Sequence, residues 1–313
     1  MLGSGDVGHR VVVRHRTDQG PTDVLGELTS LDDHALVVRT EAGDERRIAR
    51  AAVIAGKRVG PRPARYSEML VLERIAAAAW PAPETELLGE WLLRAADGWT
   101  NRANSALPLG DAGCPLDEAV AACVAFYTTR GLTPKITVAL PVRRDVARHL
   151  TAAGWIAQPE VLVQTAPLDR VVELARSAGA PEGLTLHERP PADVLPVIAA
   201  RKHGLPPAAD HILTAVAPVR FAVARDADGG LLAFARGAVV DHWLYVALVE
   251  VLPHARRRGY ARAVSGALAA WAQGAGATRG VLHVEAHNEP ATRLYENLGW
   301  RTHHTQVTYH HPA

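Results

Sequence analysis

Apolar and polar positions alternate along the first sixty residues. The runs "RVVVRHR", "DVLGELTSL", "HALVVRT" and "ERRIARAAVIA" (residues 10–16, 23–31, 34–40 and 45–55) carry β-branched or alternating side chains, and "DQGPTD", "DD" and "AGD" separate them. Alternation with a period of two puts one face of each run against a core, so residues 1–62 predict a small SH3-like or Sm-like β-barrel. "GPRPAR" (60–65) then reads as a proline-rich linker.

The period lengthens beyond it. "YSEMLVLERIAAAAW" (66–80) predicts a helix and "EWLLRAADGWTNRANSALPL" (90–109) a strand. A helix at 116–130, the strand "KITVAL", a helix near 143–153 and the pair Gly154–Trp155 follow. The same order returns after residue 230: the strand "WLYVALVEV" (243–251), a helix at 261–273, the strand "GVLHVEA", a helix at 290–298 and Gly299–Trp300. Gly113 stands 42 positions before Trp155, and Gly259 stands 41 before Trp300. A repeat at matched spacing predicts two related α/β domains, residues 63–178 and 179–313. The fold class expected is therefore α/β (α+β), with mixed central sheets flanked by helices behind a small β-barrel.

Composition narrows the picture. Hydrophobic residues make up 48% of the 313, which fits a folded chain with two or three cores. The net charge is +1, and residues 1–62 hold ten Lys/Arg against nine Asp/Glu, which argues against a nucleic-acid partner. Two cysteines, Cys114 and Cys123, fit a reducing compartment. "MLGSGDVGHR" lacks the features of a secretory signal, and no apolar run approaches the ~18 residues of a membrane span. A cytoplasmic protein is expected. Fifteen histidines invite a metal reading, but His283 and His287, four apart on a strand, do not match a metal-binding helix, and no metal is expected.

The candidate chemistry begins at "VEVLPHARRRGYARAVSGAL" (249–268). "WLYVALVEV" has the near-continuous apolar run of a strand covered on both faces, and Pro253 ends it. Val264, Leu268 and Trp271 recur at helical spacing, so a helix starts near Gly259. Its first amides have no partner inside the helix, and with the helix dipole they form a site for an anion. Gly259 and the small Ala261 allow close approach, and Arg256, Arg257 and Arg258 add charge at the rim. The spacing fits neither the dinucleotide nor the P-loop fingerprint.

Arg256-x-x-Gly259-x-Ala261 does resemble the [RQ]-x-x-G-x-[GA] signature of the GNAT superfamily of N-acetyltransferases. "VEAHNEPATRLYENLGW" (284–300) is similar to that family's second element, through Asn288, Ala291, Leu294, Tyr295 and Gly299. The resemblance implies a fold in which two central strands splay around the arm of acetyl-CoA. The backbone of Val249 and Val251 would pair with that arm. The amides from Arg257 to Arg262, Tyr260 included, would wrap the pyrophosphate, and Asn288 would hold the arm. Tyr295 would act as the acid for the departing thiolate. Glu250 is the candidate base, with the loop near His203 and His211 as the alternative; where some members carry a glutamate earlier on the strand, this chain has Tyr245. The whole layout resembles an actinobacterial group of SH3-like plus GNAT proteins with a histone-acetyltransferase-like label.

The first α/β unit lacks the signature. Its "GDAGCPLDEA" places Asp111, Asp117 and Glu118 where a pyrophosphate would sit, so it reads as a degenerate partner. The resemblance implies transfer of acetyl to a primary amine, on a small molecule or a protein lysine; a non-catalytic acyl-CoA sensor or assembly module is the alternative. A homodimer is compatible with this reading, and no membrane partner is expected.

Overall fold

A computed structural model describes residues 2–40, 43–60, 64–176, 183–202 and 204–312. The chain forms two compact units, divided after Pro63. The linker residues 61–63, the expected boundary at 178–179 and His203 lie outside the described residues.

In the N-terminal unit, β1 (Arg10–Thr17), β2 (Gly20–Leu31), β3 (Ala35–Thr40), β4 (Glu45–Ala49) and β5 (Val53–Arg58) form an antiparallel sheet in the order β4-β3-β2-β1-β5. A short 3-10 turn, Arg50–Ala52, divides the run expected as one strand. The alternation does what it predicts: Val11, Val13, Leu28, Leu36, Val38 and Ile48 fill one core.

The first half of the second unit comprises α1 (Tyr66–Ala79), β6 (Glu84–Leu88), β7 (Trp91–Ala95), β8 (Leu107–Pro108), α2 (Leu116–Thr128), β9 (Lys135–Leu140), α3 (Arg144–Ala152), β10 (Ile156–Ala157), β11 (Val161–Pro167) and α4 (Leu168–Arg176). The strand expected over 90–109 is two short strands, with a loop between them that Asn104 holds. The Asn104 carboxamide accepts from the amides of Ala96 (2.8 Å) and Gly98 (2.9 Å) and donates to the Trp99 carbonyl (2.7 Å). The second half comprises β12 (Leu184–His187), α5 (Val194–Lys202), α6 (Ala208–Thr214), β13 (Val219–Arg225), β14 (Leu231–Val240), β15 (Trp243–Val251), α7 (Tyr260–Gly274), β16 (Arg279–Glu285), α8 (Glu289–Asn297) and β17 (Arg301–His310).

The two halves share one nine-stranded sheet, ordered β10-β17-β11-β16-β15-β14-β13-β12, with β9 also paired to β17. The first half's β11 lies between β16 and β17, and the last strand of the chain joins the first half's β9. A cut near residue 178 therefore separates two stretches of sequence and passes through a single sheet. Helix α1 crosses over as well. Leu72, Ile75 and Ala79 pack with Ile198, Ile212 and Phe234 of the second half. The fully buried Arg236 fixes that packing by donating to the carbonyls of Ala79 (3.0 Å), Ile212 (3.2 Å) and Leu213 (3.0 Å), which satisfies the C-terminal ends of α1 and α6.

Candidate active site

The site starts with one extra residue in β15. Leu244 and Val246 pack on the α7 side of the sheet, and Tyr245 and Ala247 on the α1 side. At Leu248 the backbone turns to φ 54°, and the register with β14 shifts between Phe234 and Arg236. The bulge reverses the alternation, so Val249 and Val251 pack with the α7 side. Glu250 is sent towards α5, where Arg201 ion-pairs with it. Parallel pairing of β15 with β16 runs only from Trp243 to Val246, against Arg279 to Leu282. Past that point both strands continue, each held by its other neighbour, and the sheet opens between them.

Beyond β15 a 3-10 turn, Pro253–Ala255, leads to α7. Arg257 (φ 64°) and Gly259 (φ 84°) are left-handed on either side of Arg258, a curl that turns successive amides into one concavity. That conformation costs a non-glycine residue about 1–2 kcal/mol, and such strain clusters at functional sites. No acidic residue stands in the first turn of α7. A Cβ built on Gly259 meets nothing within 4 Å, so the backbone is open to approach. Arg256, Arg257 and Arg258 are exposed, while Tyr260 is buried beneath the Arg258 guanidinium, 5.3 Å from its ring centre. Arg256 Nε donates to the Val251 carbonyl (3.3 Å). Arg262, in the first turn of α7, sends its guanidinium to the Leu174 carbonyl (3.2 Å), near the end of α4.

A cavity of about 950 Å³ occupies the opened sheet. Val249, Asn288 and Tyr295 line it, together with first-half residues 97–102 and second-half residues 204–206. Asn288 caps α8, its Oδ1 accepting from the Ala291 amide (3.3 Å). Tyr295 lies seven residues on, two turns along the same face, 7% exposed and edge-on to Trp300. Burial pushes its phenol up to about 12, with Arg201 acting in the opposite sense. Glu250, Val251 and the curl from Arg256 to Arg262 lie outside the cavity lining. His211 sits exposed on α6.

Sequence reasoning missed the floor of this cavity. Arg102, from the loop after β7, donates to the Tyr245 hydroxyl and lies over the Trp80 ring at 4.6 Å. The Tyr245 hydroxyl (3.4 Å) and the Gln306 amide (3.2 Å) both meet Nδ1 of His283. Burial, with Arg102 adding to it, holds His283 well below the usual imidazole range, so the ring is neutral. Two donors on Nδ1 place its single hydrogen on Nε2, which has no partner among the described residues. Lys202, at the end of α5, is pushed down to about 8 by burial first and then by Arg102 and Arg201. The aromatic and Arg residues of "DGWTNRANS" were the only linear hint. Among the described residues, no group of three or more His, Cys, Asp or Glu is placed to hold a metal ion, and no helix is long and apolar enough to cross a membrane.

An opened sheet beside an amide curl at a helix start is the architecture of the GNAT acetyltransferases, and the comparisons agree. The family described as "Probable histone acetyltransferase Rv0428c C-terminal" matches residues 66–309, and "Rv0428c N-terminal Sm-like domain" matches residues 5–57. The chain belongs to this family and is an enzyme of the N-acetyltransferase class. It is 31% identical to "Probable histone acetyltransferase Rv0428c" of Mycobacterium tuberculosis, over 97% of this chain and 95% of that one. It is 26% identical to "Uncharacterized N-acetyltransferase YobR" of Bacillus subtilis, over 77% of this chain and 96% of that protein. Among solved structures, a GCN5-related N-acetyltransferase from Kribbella flavida shares the fold at TM-score 0.59 and 19% identity, covering 78% of this chain and 96% of its own. A tandem GNAT protein of the clavulanic acid biosynthesis pathway does so at TM-score 0.51 and 15% identity, covering 80% and 91%.

Proposed function

We propose that the chain transfers the acetyl group of acetyl-CoA to the primary amine of a small molecule. The observation that carries this reading is the gap where β15 leaves β16, which opens on the cavity lined by Tyr295; the amide curl at 257–262 follows β15 along the chain. The curl supplies unpaired helix-start amides of the kind that hold a diphosphate. Val249 and Val251 lie along the open edge and Asn288 faces it across the gap. Acetyl-CoA would supply a thioester carbonyl open to attack by an uncharged amine. A phenol held near 12 keeps its hydrogen at neutral pH, so Tyr295 serves as the donor to the departing sulfur. Glu250 is held in the Arg201 ion pair and lies outside the cavity lining, so the amine's proton passes to solvent water. The acceptor reading is supported by the first-half residues 97–102, 158, 159 and 161, which wall one side of the space beside Tyr295.

The test has two stages. Calorimetry of the purified chain with acetyl-CoA should show saturable heat, and thiol release with small amines should follow. Heat without release for any amine would favour an acyl-CoA sensor. No heat at all would remove the acetyl-CoA reading.

A further inference from the structure

The floor of the cavity carries more positive charge than an amine acceptor alone requires. Its lining includes three cations, Arg102, Arg201 and Lys202, and two acids, Asp97 and Glu285. Three of these are accounted for within the fold or by exposure. Arg201 pairs with Glu250, Asp97 accepts from the Ala208 amide (3.1 Å), and Glu285 pairs with His287 (3.3 Å) on exposed surface. Lys202, half-buried at the end of α5, forms no ion pair among the described residues, and burial with the two arginines lowers it to about 8. Arg102 differs. Among the described residues its guanidinium touches the Tyr245 hydroxyl and the faces of Trp80 and Tyr245, and it forms no ion pair. Stacking on Trp80 holds the fork rigid. Beside it stands His283, a cavity-lining residue whose Nε2–H has no partner among the described residues; the neighbouring Gln306 amide meets His283 Nδ1, and the Thr137 hydroxyl is bonded to Ser105 and Thr308. Glu73 lines a small void that Arg94 and the floor residues Arg102, Thr137, His283 and Gln306 also line, but His304 Nε2 takes its carboxylate at 2.9 Å and Arg102 forms no ion pair with it.

We infer that this floor binds a carboxylate of the acceptor, so that the acceptor is an amino acid or a similar amine bearing a carboxylate, with Arg102 as its anchor. The arrangement joins a planar guanidinium, matched to two carboxylate oxygens, with a buried donor that has no acceptor of its own. Acetyl-CoA's own phosphates are a poor alternative source of the anion. Tyr245, which Arg102 touches, precedes Val251 by six residues, about 20 Å along an extended strand, and the phosphate curl lies beyond Val251. The inference rests on the acetyltransferase reading and narrows its acceptor.

The experiment compares matched amines on the unaltered full-length chain: L-amino acids, their carboxamides, and lysine-rich peptides blocked at both ends. Thiol release from acetyl-CoA gives kcat/KM. Calorimetry with the CoA-loaded chain gives amine affinity independently of turnover. An amino acid should exceed its carboxamide by roughly 10- to 100-fold, the effect of losing a charged hydrogen-bond partner. Arg102→Gln should abolish that ratio while acetyl-CoA affinity stays within about 2-fold, and Arg102→Lys should retain part of it. Equal or better use of carboxamides or peptides overturns the inference. So does a preference that survives Arg102→Gln, or the absence of binding and turnover for every amino acid while acetyl-CoA still binds. Loss of acetyl-CoA binding to the unaltered chain is a separate result and strikes the parent reading.

Discussion

The two halves of the second unit carry related elements to opposite ends. Each brings a left-handed glycine to the junction before a helix, Gly113 at φ 76° and Gly259 at φ 84°, and a Cβ on either meets nothing within 4 Å. The second half then starts α7 with no acid in its first turn. The first half starts α2 with Asp117 and Glu118, and its loop amides are already taken: Asp111 donates to Glu90 (3.0 Å) and Gly113 to the Asp111 side chain (2.9 Å). A carboxylate of the protein occupies the position where an anion would bind. The fold alone therefore confers no anion site; unpaired amides and the absence of nearby acids are what would make one. The first half gives its loop 97–102 to the lining of the other half's cavity and strand β11 to its sheet.

The comparison breaks most visibly at the glycines. Gly259→Glu should weaken acetyl-CoA binding by more than about 100-fold, because it sets a carboxylate in the curl and forces a left-handed side chain. Gly113→Glu carries the same backbone strain, about 1–2 kcal/mol, yet should leave acetyl-CoA affinity unchanged. Calorimetry on both variants decides the matter, and equal losses would put the anion site elsewhere. Next in size is Tyr295→Phe. Counting back from the Gly–Trp pair, its first-half counterpart is Leu150, a fully buried core residue with no hydroxyl to offer. Removing the Tyr295 hydroxyl should lower kcat by about 100-fold, the low end for a lost proton donor, with acetyl-CoA binding retained. Unchanged kcat would return Tyr295 to a packing role like that of Leu150.

Local pattern made the second half legible. The apolar run of β15, the helical spacing of Val264, Leu268 and Trp271, and the residues from Asn288 to Tyr295 each sit on the element expected of them. Three things were hidden. Strand periodicity says which face is buried and nothing about which strand lies alongside, so the insertion of β11 between β16 and β17 left no trace in "VLVQTAP". The bulge at Leu248 was equally silent, since a leucine in the left-handed region carries no signal of the kind a glycine gives. That single residue decides which way Glu250 points, which strand alternation alone does not give. Arg102 escaped for a third reason: its partners, Trp80, Tyr245 and His283, are scattered over two hundred residues of sequence.

The smallest expected effect separates two half-buried lysines, one from each half. Lys135 is lowered by burial alone, and its ammonium donates to Asn101 Oδ1 at 2.9 Å. Lys202 is lowered to about 8 by burial and by two neighbouring arginines. A lysine depressed in the folded state burdens stability while it is charged there, below about 8. Between that value and the ordinary 10.5 the folded chain has shed a proton that the unfolded chain keeps, so stability rises with pH across the window. Lys202→Met should therefore be more stable than the parent at pH 7, by about 1 kcal/mol once partial exposure to solvent is discounted. The advantage should shrink as pH climbs from 8 towards 10.5. Lys135→Met forfeits a hydrogen bond and should gain nothing. Denaturant melts of both variants across this range read the difference. If Lys202→Met shows no gain at pH 7, the cations around the cavity do not strain one another, and the second half is no more poised for an anion than the first.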